Sequence, residues 1–395
     1  MYKGENNMNW SILEEQMVSY RRHFHQYPEI SHEEVKTREF IRRELKSLGL
    51  KPFSFTGKDI VVDLQGANPG RVAAIRADMD ALPVEEETGL PFASKSKGMM
   101  HACGHDGHMA ILLGLIHFFK KHQHKINGTI RFIFQHAEET VPGGANEIVA
   151  NQGLAGVDGI FGYHLWQPLP LGTIGVRQGP VMAGTDKFTI RIIGKGGHGS
   201  MPNETIDPTL IASLAIIQIH TIISRSLHPL EQAVVSIGEL KSGTAYNVIP
   251  DSATLSGTVR QFSTDVSMQV HKRLDEILHG LSASYSAEYE LDYTYGDPAV
   301  VNDPELYSLV KEKAAKLFGK EKIVEIKQQL GSEDFSYYTN CIPGMYTFIG
   351  VGKEDTPYGH HHPKFDIDET MMIPAVQLLS EAVIGFLHKE EESCE

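Results

Sequence analysis

Five short stretches of this chain carry residues able to do chemistry. The densest is HACGHDGH, His101 to His108, with Cys103 and His105 two positions apart. A thiolate and an imidazole at that spacing can converge on one divalent metal. The competing reading is a polar loop around a buried cysteine, because a free thiol often serves as a small core hydrophobe. The second stretch is FQHAEET, where Glu138 and Glu139 are adjacent directly after an apolar run. On an extended chain successive side chains point to opposite faces, so one carboxylate can bind a metal while the other faces its water. An exposed acidic turn is the alternative. The third is GYHLW, with His164 read at a strand end, where a lone histidine is more often structural. The fourth is YGHHHPKFDID, with His360, His361 and His362 just before Pro363, a metal-binding pattern or a surface loop. The fifth is RADMDALP, where Asp78 and Asp80 are two apart and can face one pocket. A carboxylate behind a metal-binding histidine is the usual outer-shell device; a strand-terminating turn is the alternative.

The elements that must position these groups follow from periodicity. Leu13, Met17, Tyr20 and Phe24 form a helical stripe over 10–24. Ser31 and Glu34 read as a capping box for a second helix through Val35, Ile41 and Leu48, stopped by Gly49. DIVVDLQG, RVAAIRAD, TIRFIFQH and GIFGYHL read as strands, and 109–119 as a buried helix. This alternation predicts an α/β domain with a mostly parallel sheet, and ligands gather at strand ends in such sheets. From about Ala183 the order becomes β-α-β-β-α-β, the ferredoxin-like unit: DKFTIRIIG, a long apolar helix over 207–223, AVVSIGEL, ATLSGTVRQF, a helix over 264–281, and AEYELDYTY. An amphipathic helix over 368–388 closes the chain. The expectation is a discontinuous catalytic domain, 1–182 and 298–395, interrupted by a smaller domain over 183–297.

Composition narrows the function. The 395 residues carry 36 Lys and Arg against 50 Asp and Glu, a formal charge of −14, which argues against nucleic acid as a partner. A hydrophobic content of 41% excludes global disorder. No apolar run reads as long enough for a membrane span, and the start MYKGENNMNW has no apolar signal region. Three cysteines cannot form a disulfide framework, so the expected setting is the reducing cytoplasm. The tail KEEESCE reads as a solvated charge run. GKGGHG, residues 194–199, fits the dinucleotide pattern G-x-G-x-x-G, but Pro202 and Pro208 precede the next helix and no acidic residue sits about twenty positions on.

Taken together, RADMDALP, HACGHDGH, HAEE and GGHGSMP, in this order, resemble the M20 metallopeptidase and amidohydrolase family, in its aminoacylase, hippurate hydrolase and auxin-conjugate hydrolase branch. The resemblance spans RRHFHQYPEIS to HHPKFDIDE. It implies a zinc-peptidase-like α/β catalytic domain with an inserted ferredoxin-like lid that also dimerises. It further implies two divalent metals per subunit (Zn, Mn, Co or Ni) held by Cys103, His105, Glu139, His164 and His361, the histidine two residues before a proline. Glu138 matches the general acid/base. Other branches carry H-x-D where this chain has Asp78-Met79-Asp80, so Cys103 stands in for that ligand, and either Asp78 or Asp80 is the orienting carboxylate. In the lid, His198 resembles the residue that polarises the scissile carbonyl, presented in a homodimer to the neighbouring site. Asn247 and Arg260 resemble groups that hold a substrate carboxylate. The implied reaction is hydrolysis of N-acyl-L-amino acids. A specialised N-acetyl-diaminopimelate deacetylase or a dipeptidase is the runner-up. A non-catalytic metal-binding protein on the same fold is the reading from another class; it has no use for a second carboxylate beside Glu139.

Overall fold

A computed structural model describes residues 8–352 and 357–388; the first seven residues and the acidic tail with Cys394 lie outside them. The chain divides into two compact units. One comprises Met1–Val181, Val301–Lys327 and Asp334–Glu395, the other Met182–Val300 and Gln328–Glu333.

The first unit is built on a seven-stranded mixed sheet. Its strand order is Ile60–Gln65, Asn127–Gln135, Asn68–Asp78, Gly159–Pro170, Gly344–Gly352, Ile174–Val176 and Ile323–Glu325. The four central strands, from Asn127–Gln135 to Gly344–Gly352, pair parallel. Parallel strands are covered on both faces and so read as continuous apolar runs, as MYTFIGV does: every residue from Gly344 to Val351 is buried. The helix His105–Lys121 lies in the middle of the covering layer and is buried apart from His117, Lys120 and Lys121. It packs between the helices Trp10–Gln26 and Met372–Leu387. Gly114 permits that approach, since a Cβ there would stand 2.6 Å from the Met17 sulfur. Truncating a fully buried residue of this helix, such as Ile111, should cost about 2–5 kcal/mol.

The second unit is a four-stranded antiparallel sheet in the order Glu288–Tyr295, Gly184–Ile193, Ser252–Gln261 and Ala233–Ser242. One face is covered by the helices Pro208–Arg225 and Thr264–Tyr285. The first of these starts where the sequence says it should: the Asp207 side chain accepts from the Thr209 and Leu210 amides, and Pro208 occupies the first turn.

Several local expectations are corrected. The capping box does not form: Glu34 is itself the residue before the helix Val35–Ser47 and makes no side-chain cap. Ser31 Oγ donates instead to Asp80 Oδ2 at 2.6 Å, and Glu34 Oε1 accepts from the Ala137 amide at 2.8 Å. Long-range partners outcompete the local cap. His164 is not at a strand end, because its strand runs on to Pro170. Two helices, Pro208–Arg225 and the 19 residues Glu369–Leu387, are long and apolar enough by composition to cross a membrane, contrary to the sequence reading. Their scattered Ser, Thr and Gln hide the average. Most of the second is buried in the first unit's core.

Candidate metal centre

The centre lies along the central parallel strands of the first unit. Cys103 sits in the loop ahead of the helix His105–Lys121, and His105 is that helix's first residue. Gly104 between them has φ +97°, a left-handed conformation that glycine adopts without the Cβ penalty. It turns the thiol and the imidazole toward the same space. His164 comes from the strand Gly159–Pro170, with Nε2 3.5 Å from Cys103 Sγ.

Hydrogen bonds decide which nitrogens are available. His105 Nδ1 bonds the Asp80 carbonyl oxygen at 2.9 Å, and His164 Nδ1 bonds the Leu165 carbonyl at 3.0 Å. A carbonyl only accepts, so both Nδ1 atoms carry a proton, and Nε2 is the nitrogen each ring keeps for a metal. His108 differs. Its Nε2 accepts from the Leu165 amide at 3.0 Å and its Nδ1 donates to Asp78 Oδ1 at 2.7 Å. Both of its nitrogens are occupied, which removes it from the ligand set although it belongs to the same motif.

Two overlapping triads result. Cys103, His105 and His164 have ligand atoms within 4.8 Å of one another, as do Cys103, Glu139 and His361; His105, Glu138 and Glu139 form a third such group. Cys103 is shared by the first two. His361 Nε2 is 3.4 Å from Glu139 Oε1. His362 turns away, stacking on Tyr358 with ring centroids 4.6 Å apart and accepting from the Lys364 amide. His360 packs against His164 and Trp166, and its Nε2 accepts from the Gln167 amide.

Glu138 and Glu139 do not point to opposite sides. Glu138 Oε2 and Glu139 Oε1 are each 3.9 Å from His105 Nε2. The strand ends at Gln135, and Ala137 has φ +51°, so the two-residue alternation of an extended chain no longer applies.

The electrostatics fit a divalent cation. Burial opposes charge on His105, yet Asp78 and Asp80 outweigh it and raise its pKa to about 10. Burial, with Glu139, Glu138 and Asp78 beside it, pushes the Cys103 thiol well up. Burial, aided by His108 and His360, pushes His164 well down, so its ring is neutral. Asp78 and Asp80 thus favour a positive charge at the His105 ring, held there by a proton until a cation displaces it. His105 Nε2 is buried and has no hydrogen-bond partner among the described residues. A cation would answer both conditions and bring the thiolate into being.

The two aspartates hold different things. Asp80 faces His105, with Oδ1 3.4 Å from Nδ1, and its Oδ2 accepts from the Glu139 amide at 3.0 Å. Asp78 holds His108 and accepts from Arg76 at 2.6 Å. Arg76 is fully buried and also donates to Asp334 at 2.6 Å and to Gln135 at 2.8 Å. Sequence reasoning missed Arg76, Gln135 and Asp334; a charged residue inside the apolar strand RVAAIRAD was the available signal. Arg76→Met should destabilise the protein by about 3–5 kcal/mol, since it strands two buried carboxylates. Denaturant unfolding checks this, and a loss below about 0.5 kcal/mol, the range of surface substitutions, contradicts it.

The remaining candidates belong to the second unit. His198 is exposed on the short strand Gly197–His198, which pairs with Val248 and Ile249. Its Nδ1 accepts from the Ser200 amide at 3.1 Å, which leaves the proton on Nε2. The exposed Asn247 offers its carbonyl to the Gly199 amide at 2.9 Å. Arg260 is half-buried, and its Nη1 has no hydrogen-bond partner among the described residues. Burial lowers its pKa against the pull of Asp297 and Asp186.

Comparison with known proteins identifies the family. Residues 74–384 match the model of peptidase family M20/M25/M40. An N-acetyl-L-cysteine deacetylase of Bacillus subtilis is 41% identical, over 99% of this chain and 93% of its own length. An N-acyl-L-amino acid amidohydrolase of Geobacillus stearothermophilus is 46% identical over 72% of this chain and 78% of its own. Among solved structures, a Bacillus subtilis protein described as a dinuclear metal binding peptidase of the M20 family superposes with a TM-score of 0.85 at 36% identity, over 95% of this chain and 99% of its own. The chain therefore belongs to peptidase family M20/M25/M40.

Proposed function

We propose that this protein is a metal-dependent amidohydrolase that cleaves the amide of N-acyl-L-amino acids to a carboxylate and a free amino acid. The observation that carries the reading is the pair of donor triads sharing Cys103, with a further carboxylate, Glu138, 3.9 Å from His105 Nε2. The activities named for the relatives support the substrate class. The family neighbour's two metals support a two-metal centre held by Cys103, His105, Glu139, His164 and His361. Zn²⁺, Co²⁺, Ni²⁺ and Mn²⁺ suit that donor set.

When bound, such ions supply Lewis acidity and bring a water's pKa toward about 7. Glu138 takes a proton from the attacking water and returns it to the leaving amine, a contribution of about 10²–10⁴ in rate. Asp80 is the orienting carboxylate, because it faces a ligand histidine, whereas Asp78 serves His108. His198 donates a hydrogen bond from Nε2–H to the oxyanion that develops on the carbonyl. Asn247 and Arg260 hold the substrate carboxylate.

The second unit is read as a ferredoxin-like lid over 183–297, interrupting a catalytic domain of 1–182 and 298–395. Two features support dimerisation through it. The strand Ala233–Ser242 is an edge, and the helix Pro208–Arg225 exposes Leu210 and Ile217 by 49% and 64%. In such a homodimer His198 serves the neighbouring subunit's site. We assign the protein to the cytoplasm, where a ligand thiolate stays reduced.

A hydrolysis panel of N-acetyl, N-benzoyl and indole-acetyl amino acids, each with the four metals, tests the activity. Turnover of at least one series is expected, and none with any metal would overturn the reading. The ligand set is tested by metal content. Cys103→Ser and His361→Ala are expected to lose more than the 10–100-fold in affinity typical of outer-shell changes, and His362→Ala to lose none. Full occupancy in Cys103→Ser removes Cys103 from the set.

A further inference from the structure

A second group of metal-ligand types lies in the first unit, apart from the donors assigned above. His32, His136 and Glu147 have potential ligand atoms within 4.8 Å of one another. They come from three separate segments. His32 is exposed in a tight turn at φ +68°, His136 directly follows the strand Asn127–Gln135, and Glu147 is on the helix Gly144–Ala150. His136 is fully buried, and its Nδ1 has no hydrogen-bond partner among the described residues. Its Nε2 is 3.3 Å from Glu147 Oε2. The two imidazole rings have centroids 5.8 Å apart and are tilted by 57°, so they converge rather than stack flat.

We propose that His32, His136 and Glu147 form a third transition-metal site, selective for Zn²⁺ or a similar imidazole-binding ion, that closes the loop carrying Glu138 and Glu139. Two imidazoles and a carboxylate are a three-ligand zinc set, with water in the fourth position. Zinc bonds of about 2.0–2.1 Å place tetrahedral donors roughly 3.4 Å apart; the His136–Glu147 pair is already at 3.3 Å, so any contraction falls to His32, which lies within 4.8 Å of both. His32 supplies that movement because it is exposed on a turn. Lys58 competes, at 3.1 Å from Glu147 Oε1 and 3.2 Å from Oε2. It can keep one carboxylate oxygen while the other binds the ion. His136 and Glu147 flank the 137–143 loop, whose ends already approach through the Gly144 amide and the Ala137 carbonyl at 2.9 Å. A Cβ on Gly144 would meet the His136 carbonyl oxygen at 2.0 Å, so the close approach that forms the cluster depends on glycine. An ion here would brace that loop from a side the catalytic donors do not use.

The test is equilibrium dialysis of the metal-loaded enzyme against buffered Zn²⁺, with zinc and protein counted in wild type, His32→Ala and Glu147→Gln. Wild type is expected to bind one zinc more per chain than His32→Ala, and both variants should bind that last zinc at least tenfold more weakly, as loss of a direct ligand must exceed the lower bound for an outer-shell partner. The metal bound at the other sites of His32→Ala should be unchanged. Wild type and both variants taking up the same zinc at every concentration would overturn the proposal. The readout is a difference between proteins, so it stands whether or not the hydrolase reading holds.

Discussion

Glu138→Gln is expected to lower kcat by at least about 100-fold, and up to about 10⁴-fold, while leaving metal content unchanged. Glutamine keeps the shape and size of the side chain but cannot accept a proton. The geometry makes the assignment specific. Glu138 and Glu139 approach the same His105 nitrogen, and Glu139 also stands beside Cys103 and His361 in a donor triad. The two carboxylates should therefore separate by assay: Glu139→Gln loses metal, and Glu138→Gln loses turnover alone. Single-turnover kinetics with metal analysis on the same sample reads both. A Glu138→Gln enzyme that keeps more than about a tenth of wild-type kcat falls outside the range for a general base and removes Glu138 from that role.

His198→Ala is expected to cost about 10²–10³ in kcat, the range for losing one donor to a developing oxyanion. His198 is exposed, and the Ser200 amide occupies its Nδ1, so its Nε2–H is the group able to donate a hydrogen bond to a substrate. The trans role is tested by complementation. Glu138→Gln and His198→Ala should each be nearly inactive alone. Mixed under subunit exchange, the proposed dimer would give heterodimers in which one site has an intact Glu138 and receives an intact His198. Activity should return in the mixture. A mixture as inactive as its parents, or a monomeric enzyme at assay concentration, excludes action in trans.

The parts of this protein that were legible in its sequence are those governed by local rules. Asp207 and Pro208 announce a helix start because an N-cap and a pre-set φ act within one turn. The strand RVAAIRAD and the buried helix after His105 announce themselves by apolar run length. The parts that were misread depend on contacts distant in sequence. Ser31 is a good capping residue, but Asp80, 49 residues away, takes its hydroxyl. Glu138 and Glu139 were assigned opposite faces because strand alternation was extended past Gln135, and the reversal lies in one backbone angle at Ala137. His108 shares a motif with two proposed ligands, and only the Leu165 amide and Asp78 reveal that its nitrogens are occupied. The choice between Asp78 and Asp80 was open in the sequence for the same reason. It turns on which histidine each one faces.

The measurement that bears most directly on the two-metal hydrolase is activity against metal equivalents. The apoprotein is titrated with Co²⁺ or Zn²⁺, and hydrolysis of an N-acyl amino acid found in the panel is followed at each step. Activity should be absent in the apoprotein and rise to a plateau at two equivalents per chain, with the same titration of Glu138→Gln filling both sites and giving no turnover. Full activity in the metal-free protein, or a plateau reached at one equivalent, would contradict a centre built from two triads that share Cys103.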